Sequence, residues 1–335
     1  MCIRDRVGTG PYMLQSWDAD NEIVLVKNPN YWGEKPAFEK VVFRTIPEGA
    51  TRVAEMVNGS VDIIMNIRHE DVDMLEKTGI VNIMPYQTAQ TEYIGFNTLD
   101  WSETPELQNQ KVRQALNYAV DVDAIIESIL GGHAERISTL WRPDFSGYDE
   151  EFDGYYTYDP EKAAALLAEA GYPDGFAVTL MTDVGNHEKA QEVTEAVGAY
   201  LTAIGLDVTV QAYDSTTAYA IIVYGQDAKQ CPGLFDWYWT SKPGLYESTL
   251  TGVFGEGGIS SFNGIPGYEE LIQKIMNEST EEGRAEYLKE FQRLMVEDPA
   301  CLYLFRLDQL YAVNSRIDWN PADHYNMKVA EMKLK

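Results

Sequence analysis

The sequence predicts an α/β protein of two lobes. A β-α-β unit stands in the middle of the chain, a separate run of short strands comes before it, and an apolar stretch near the end reads as a late, buried strand. At 335 residues the chain is long enough for two cores, and 45% of its residues are hydrophobic, as in ordinary globular proteins. The net charge is −27, from 53 acidic against 26 basic side chains. That balance excludes nucleic acid and anionic membrane surfaces as partners, because both demand a basic face.

Residues 7 to 90 read as α+β. "GTGPYMLQSW" sets Gly8, Gly10 and Pro11 in a turn before a strand, and "EIVLVKN" and "KVVFRTI" are two more strands around the turn-forming "NPNYWGEKP". In "EGATRVAEMVNGSVDIIM" a short helix carries Val53, Met56 and Val57 on one face, stops at Gly59, and gives way to the strand "VDIIM". "VNIMPYQTAQTEYIGFNT" is extended and aromatic-rich, and reads as a chain crossing between lobes. In the helical "NQKVRQALNYAVDVDAIIESILGG", Val112, Ala115, Leu116, Ala119 and Val120 share a face, Asp121 caps a second helix, and Gly131-Gly132 ends the run.

"YDPEKAAALLAEAGYPDG" is a complete helix signature. Asp159 is the N-cap, Pro160 occupies the first helical position, Glu161 favours the positive helix start, Leu166 and Leu167 form the buried face, and Gly171 closes the C-terminal turn. The central unit follows, with strand "FAVTLMT", helix "HEKAQEVTEAVGAYLTAIG" and strand "LDVTVQAYD". Strands joined through such a helix pair in parallel by a right-handed crossover. Ser279 to Glu282 reads as a capping box before a helix with Leu288, Phe291 and Leu294 on one face, and "CLYLF" reads as a buried strand.

Motifs of catalysis are absent. "GTG" lacks the third glycine and the helix of a dinucleotide site. His69, His133, His187 and His324 are scattered, and Cys2, Cys231 and Cys301 lack ligand spacing, so neither a metal nor a cofactor is expected. There is no G-x-S-x-G, S-x-x-K or H-E-x-x-H. The binding signal lies in "CPGLFDWYWTSKPGLYESTL". Alternation along a strand would set Trp237 and Trp239 on one face and Tyr238 on the other, with Thr240 and Ser241 as nearby polar groups. "GISSFNGIPGYEE" adds Phe262 and Asn263 as a second ligand-facing turn. The plainer reading makes any one of these tryptophans core.

"VGTGPY", "NPNYWG", "RVAEMVNGSVDI", "KVRQALNYAVDVDAII" and "YDPEKAAALLAEAGYPDGF" stand in the order that resembles the family-5 extracellular solute-binding proteins. These are the oligopeptide and dipeptide receptors of ABC importers, with relatives for nickel, opines and oligosaccharides. The resemblance runs from Val7 to near the C-terminus. It implies a type II periplasmic-binding-protein-like fold with an incomplete first lobe. Residues 1–6, which contain no signal peptide, would be a non-native leader, 7–92 the end of lobe one, 93–300 a ligand-binding lobe two, and 301–335 the return to lobe one. Strands crossing near Tyr93 to Asn97 and Leu302 to Arg306 would join lobes that close on a solute, with Tyr93 and Asn97 beside it.

The resemblance also implies a monomer that delivers its ligand to a membrane permease, outside the cytoplasm and tethered in the full-length protein, and binds without catalysis. Peptide-binding members carry an Asp after the Trp of this stretch, to pair with the ligand's α-amine. Here Lys242 stands in that region with no acid, and Asp236 would be structural. The expected ligand is therefore a peptide or an oligosaccharide, the latter stacking on the Trp pair. Two further readings are a hydrolase using cleft carboxylates and an adhesion module on the same fold.

Overall fold

The computed structural model describes residues 8–184, 189–241, 245–321 and 327–335, with the side chains of residues 69, 87 and 226–228 also left aside. The chain divides into two compact units. Unit 1 comprises residues up to Gln87 together with Asp308–Lys335, and unit 2 comprises Thr88–Leu307. The boundaries thus fall at Gln87/Thr88 and Leu307/Asp308, and the crossings expected near Tyr93 to Asn97 and Leu302 to Arg306 lie inside unit 2.

In unit 1, β1 (Tyr12–Asp18), β2 (Glu22–Lys27) and β3 (Lys40–Arg44) form an antiparallel sheet in that order. Asn28 ties its turn, its side-chain amide donating to the Gly10 carbonyl at 2.8 Å while its Oδ1 accepts from the Asn30 amide. Helix α1 (Gly49–Val57) leads to β4 (Ile63–Met65), and α2 (His69–Lys77) leads to the long β5 (Val81–Phe96). β4 pairs antiparallel with the far end of β10 (Cys301–Asn314) through Ile63↔Val313 and Met65↔Tyr311. Val53, Met56, Ile64, Leu75 and Ala312 close one small core, and Tyr86, Tyr311, Trp319 and Met332 another. The short strands β11 (Ile317–Asp318) and β12 (Lys333–Leu334) pair beside the second. Helix α2 is absent from the sequence reading, because "HEDVDMLEK" offers only Val72 and Leu75 to a core.

In unit 2 the order runs β10, β5, β9 (Leu234–Thr240), β7 (Ala177–Val184), β8 (Asp207–Asp214), and the short β6 (Ala134–Arg136) also pairs with β10. β7 and β8 are parallel over their full length, the pairing expected of strands joined by α6 (Ala190–Ala203). The helices α3 (Gln110–Ala119), α4 (Val122–Leu130) and α5 (Pro160–Glu169) cover one face with α6. Asp121 accepts from the Ala124 amide and Asp159 from the Lys162 amide, as the capping reading requires.

The other face packs beneath α7 (Ser215–Ala228), the single turn α8 (Glu247–Thr249), α9 (Tyr268–Asn277) and α10 (Glu281–Glu297). The expected cap at Ser279 shifts by one residue. Thr280 is the N-cap of α10 and its hydroxyl accepts from the Gly283 amide, while Glu278 holds the Thr280 amide and hydroxyl. A Cβ at Gly283 would lie 2.7 Å from the Thr280 hydroxyl and 2.8 Å from the Glu278 carboxyl carbon, so a larger residue there would push this cap aside.

Unit 2 is stitched by buried polar groups from distant parts of the chain. Arg113 is 2% exposed. It donates to the carbonyls of Leu107 and Pro299 and pairs with Asp298. Asn117 bridges to Cys301 and Tyr303 on β10. A buried guanidinium without such partners would be strongly destabilising, so Arg113 ties α3 to the segment that leads into β10.

Candidate functional site

The sheet of unit 2 determines which side chains can meet a solute. Its parallel strands β7, β8 and β9 end on the same side, and the carboxyl ends of parallel strands are where α/β proteins place ligands. β9 pairs with β7 only through Leu180↔Leu234 and Met181↔Phe235, then continues along β5 from Tyr93↔Trp237 to Gln90↔Thr240. Alternation puts Met181 and Phe235, and two residues on Asp183 and Trp237, on the face covered by α7. Asp183 pairs in register with Tyr213 of β8.

Aromatic rings gather at this corner. Trp237 is 7% exposed, and its ring lies 6.4 Å from Tyr219 of α7. Tyr238 stacks on Trp237 at 5.6 Å with 22° between planes. Strict alternation would have separated those two rings. The β7 ladder ends at Met181↔Phe235, and the two rings meet beyond that point. Trp239 instead lies against Gly252, in the π-helix Leu250–Phe254 that continues α8. A Cβ on Gly252 would fall 2.4 Å from the Trp239 ring, so the contact depends on glycine. The indole Nε1 of Trp239 is buried and has no hydrogen-bond partner among the described residues. A buried N–H left unpaired costs about 1–3 kcal/mol, and an acceptor supplied from outside removes that cost.

The remaining residues proposed from sequence lie elsewhere. Asn97 is fully buried, donating to the Cys231 carbonyl at 2.9 Å and accepting from the Leu99 amide. Phe262 is 2% exposed between Trp101 and Phe235, and its carbonyl accepts from Thr98. Asn263 is half-buried and shapes its own turn, donating to the Phe254 carbonyl and accepting from the Ile265 amide. Tyr93 is buried with its hydroxyl beside Ser260, and burial pushes that phenol well above its ordinary range. Ser241 is buried too, its hydroxyl 2.5 Å from that of Thr249 and its carbonyl held by Arg142. Thr240, at the end of β9, is exposed.

Thus Trp237, Tyr238, Trp239 and Thr240 gather on one stretch, whereas Asn97, Phe262 and Ser241 are committed to internal bonds and packing. Asp236 faces the opposite side, where its carboxylate accepts from Thr182 and Thr182 contacts Thr194. Lys242, on which the missing-acid argument turned, lies outside the described residues, as do Cys2, His187 and His324. Tyr213, Tyr219 and Asp183 escaped the sequence reading. The unforeseen α7 brings Tyr219 to Trp237, and the strand register sets Tyr213 opposite Asp183. No cluster of three or more His, Cys, Asp or Glu side chains suited to a metal occurs among the described residues.

A mixed α/β sheet with aromatic rings at the carboxyl ends of its parallel strands has the layout of a fold that receives a ligand there. The model of "Bacterial extracellular solute-binding proteins, family 5 Middle" matches residues 4–256, and the chain belongs to that family. Heme-binding protein A of Haemophilus influenzae is 30% identical over 295 residues, covering 85% of this chain and 52% of that protein. Glutathione-binding protein GsiB of Escherichia coli is 31% identical over 251 residues, covering 74% of this chain and 47% of that protein. The chain therefore spans about half the length of these relatives. The periplasmic binding protein DppA from Helicobacter pylori, solved with the peptide STSA, superposes with a TM-score of 0.73 at 24% identity, over 98% of this chain and 63% of that one. The fold is thus that of the type II periplasmic binding proteins of family 5.

Proposed function

We propose that this chain is the solute-capturing part of an ABC importer's receptor, working outside the cytoplasm and handing its ligand to a membrane permease without chemical change. The ligand is a peptide or a related small solute. Family membership supports the receptor role, and the peptide bound to DppA and the tripeptide glutathione of GsiB support the ligand class. No helix among the described residues is long and apolar enough to cross a membrane.

The observation that carries the reading is the shelf of Trp237, Tyr238 and Tyr219, followed on the same strand by Trp239, whose indole N–H has no partner among the described residues. Flat aromatic faces bury apolar side chains or ring faces, and a fixed donor orients a carbonyl or hydroxyl. The binding set narrows to Trp237, Tyr238, Trp239 and Thr240 with Tyr213 and Tyr219. Tyr93, Asn97, Ser241, Phe262 and Asn263 support them.

A thermal-shift comparison tests this, using pooled di- to tetrapeptides in one arm and pooled oligosaccharides in the other. A ligand at 100 times its Kd that binds only the native state stabilises by about 2.7 kcal/mol, a shift of several degrees. A shift with peptides that disappears in Trp239→Ala supports the reading. A shift with sugars alone reassigns the ligand class, and turnover of either pool overturns the receptor role.

A further inference from the structure

Inside unit 2 a small cavity of about 10 Å³ lies among Tyr93 of β5, Phe235 of β9, Ser260 and Cys301 of β10. No solute fits there, but a single water needs only about 10–15 Å³ of such space. Apolar cavities of this size stay dry, and a water settles only where several polar groups can hold it. The lining supplies them.

Tyr93 is 1% exposed, and its hydroxyl has no hydrogen bond of ordinary geometry among the described residues, although Ser260 is beside it. A buried hydroxyl in that condition is costly, and a bridging water removes the cost almost as well as a direct bond. The Ser260 hydroxyl is only loosely engaged. It reaches the Gly252 carbonyl at 3.3 Å, an oxygen that the Ser260 amide already holds at 2.9 Å. Burial raises both the phenol of Tyr93 and the thiol of Cys301 above their ordinary ranges, so each keeps its proton and can donate.

We infer that this cavity is a hydration site for one buried water. The water accepts from the Tyr93 hydroxyl and the Cys301 thiol and donates to the Ser260 hydroxyl, which donates onward to the Gly252 carbonyl. The chain of bonds joins β5, β10 and the turn that holds Gly252. Tyr93 is the cross-strand partner of Trp237, and Gly252 is the residue against which Trp239 lies. One water therefore braces the backing of both tryptophans. The inference does not depend on which ligand the protein takes, and its failure would leave the receptor reading standing.

A crystal structure at a resolution that shows ordered water tests it directly. A single peak is expected at about 2.6–3.2 Å from Tyr93 Oη and Ser260 Oγ. An empty cavity, or a Tyr93 hydroxyl bonded straight to Ser260, would overturn the inference. Two solution measurements read the same site. Tyr93→Phe should lower the melting temperature by about 2–4 °C, because the water loses a donor, whereas in a dry cavity the loss of an orphaned hydroxyl would leave it unchanged or raise it. Oxygen-17 relaxation dispersion, which counts long-lived internal waters, should register the loss of a single water in the Tyr93→Phe, Ser260→Ala double variant. An equal count in parent and variant would refute the site.

Discussion

Replacing Gly252 by alanine isolates the contact on which the shelf depends. The new Cβ would lie 2.4 Å from Cη2 and 2.7 Å from Cζ2 of Trp239, against an ordinary contact of about 3.5–4.0 Å. The ring tip must retreat by about 1 Å. Two opposing terms then set the stability. Alanine favours a helical backbone over glycine by about 1 kcal/mol, whereas overpacking a fixed ring costs about 1–3 kcal/mol. Trp239 is only half-buried at a strand end, so its ring can move outward and most of the penalty is relieved. Gly252→Ala should therefore change the melting temperature by less than about 4 °C. Affinity for the ligand found in the pooled screen should fall about tenfold, since losing an aligned aromatic contact is worth about 0.5–1.5 kcal/mol. Calorimetry and acrylamide quenching of tryptophan fluorescence read the two effects separately. A fall of about 8 °C or more with unchanged affinity and quenching would make Trp239 a core pillar and refute the argument.

Two further outcomes concern the scaffold. Asn97→Ala leaves the Cys231 carbonyl and the Leu99 amide without their partner in a fully buried site, so a loss of about 1–3 kcal/mol is expected in urea unfolding. An unchanged midpoint would show that water replaces the amide. The carboxylate of Asp214 accepts from the Thr217 hydroxyl and the Thr216 and Thr217 amides at the start of α7, and these bonds hold its pKa below the usual 3.8. A lowered folded pKa means that this contribution is complete above about pH 3.8 and disappears as pH falls through the folded value. Asp214→Asn should accordingly flatten the acid limb of a melting-temperature-against-pH profile. A limb identical to the parent's would remove Asp214 from the cap.

The parts of this fold that were legible in the sequence are those written locally. Asp159 and Pro160 open α5, Asp121 opens α4, and β7–α6–β8 show parallel pairing because a helix separates the strands. Helix α7 was not legible, since "STTAYAIIVYGQDA" mixes β-branched and aromatic residues that also suit a strand. Missing that helix meant missing Tyr219, and with it the far side of the shelf. Phe262 and Asn97 were misjudged for a different reason. A glycine-rich loop or a strand end signals exposure in sequence, and only the tertiary contacts with Trp101, Phe235 and the Cys231 carbonyl reveal that both are interior. The stacking of Tyr238 on Trp237 is likewise a tertiary fact that strand alternation alone does not contain.

The place of β10 in unit 2 has a consequence in time. It borders β5 directly and supplies partners of Asn117, while Asp298 and Pro299 just before it hold Arg113, yet about 200 residues separate it from the end of β5. At about 5–20 residues per second, a ribosome takes roughly 10–40 s to cover that distance. Throughout that interval the chain presents one unpaired edge of β5 and an arginine that still lacks its partners Asp298 and Pro299. Unit 2 therefore cannot close until β10 has been made, and until then the free edge of β5 is a site where another strand could pair wrongly.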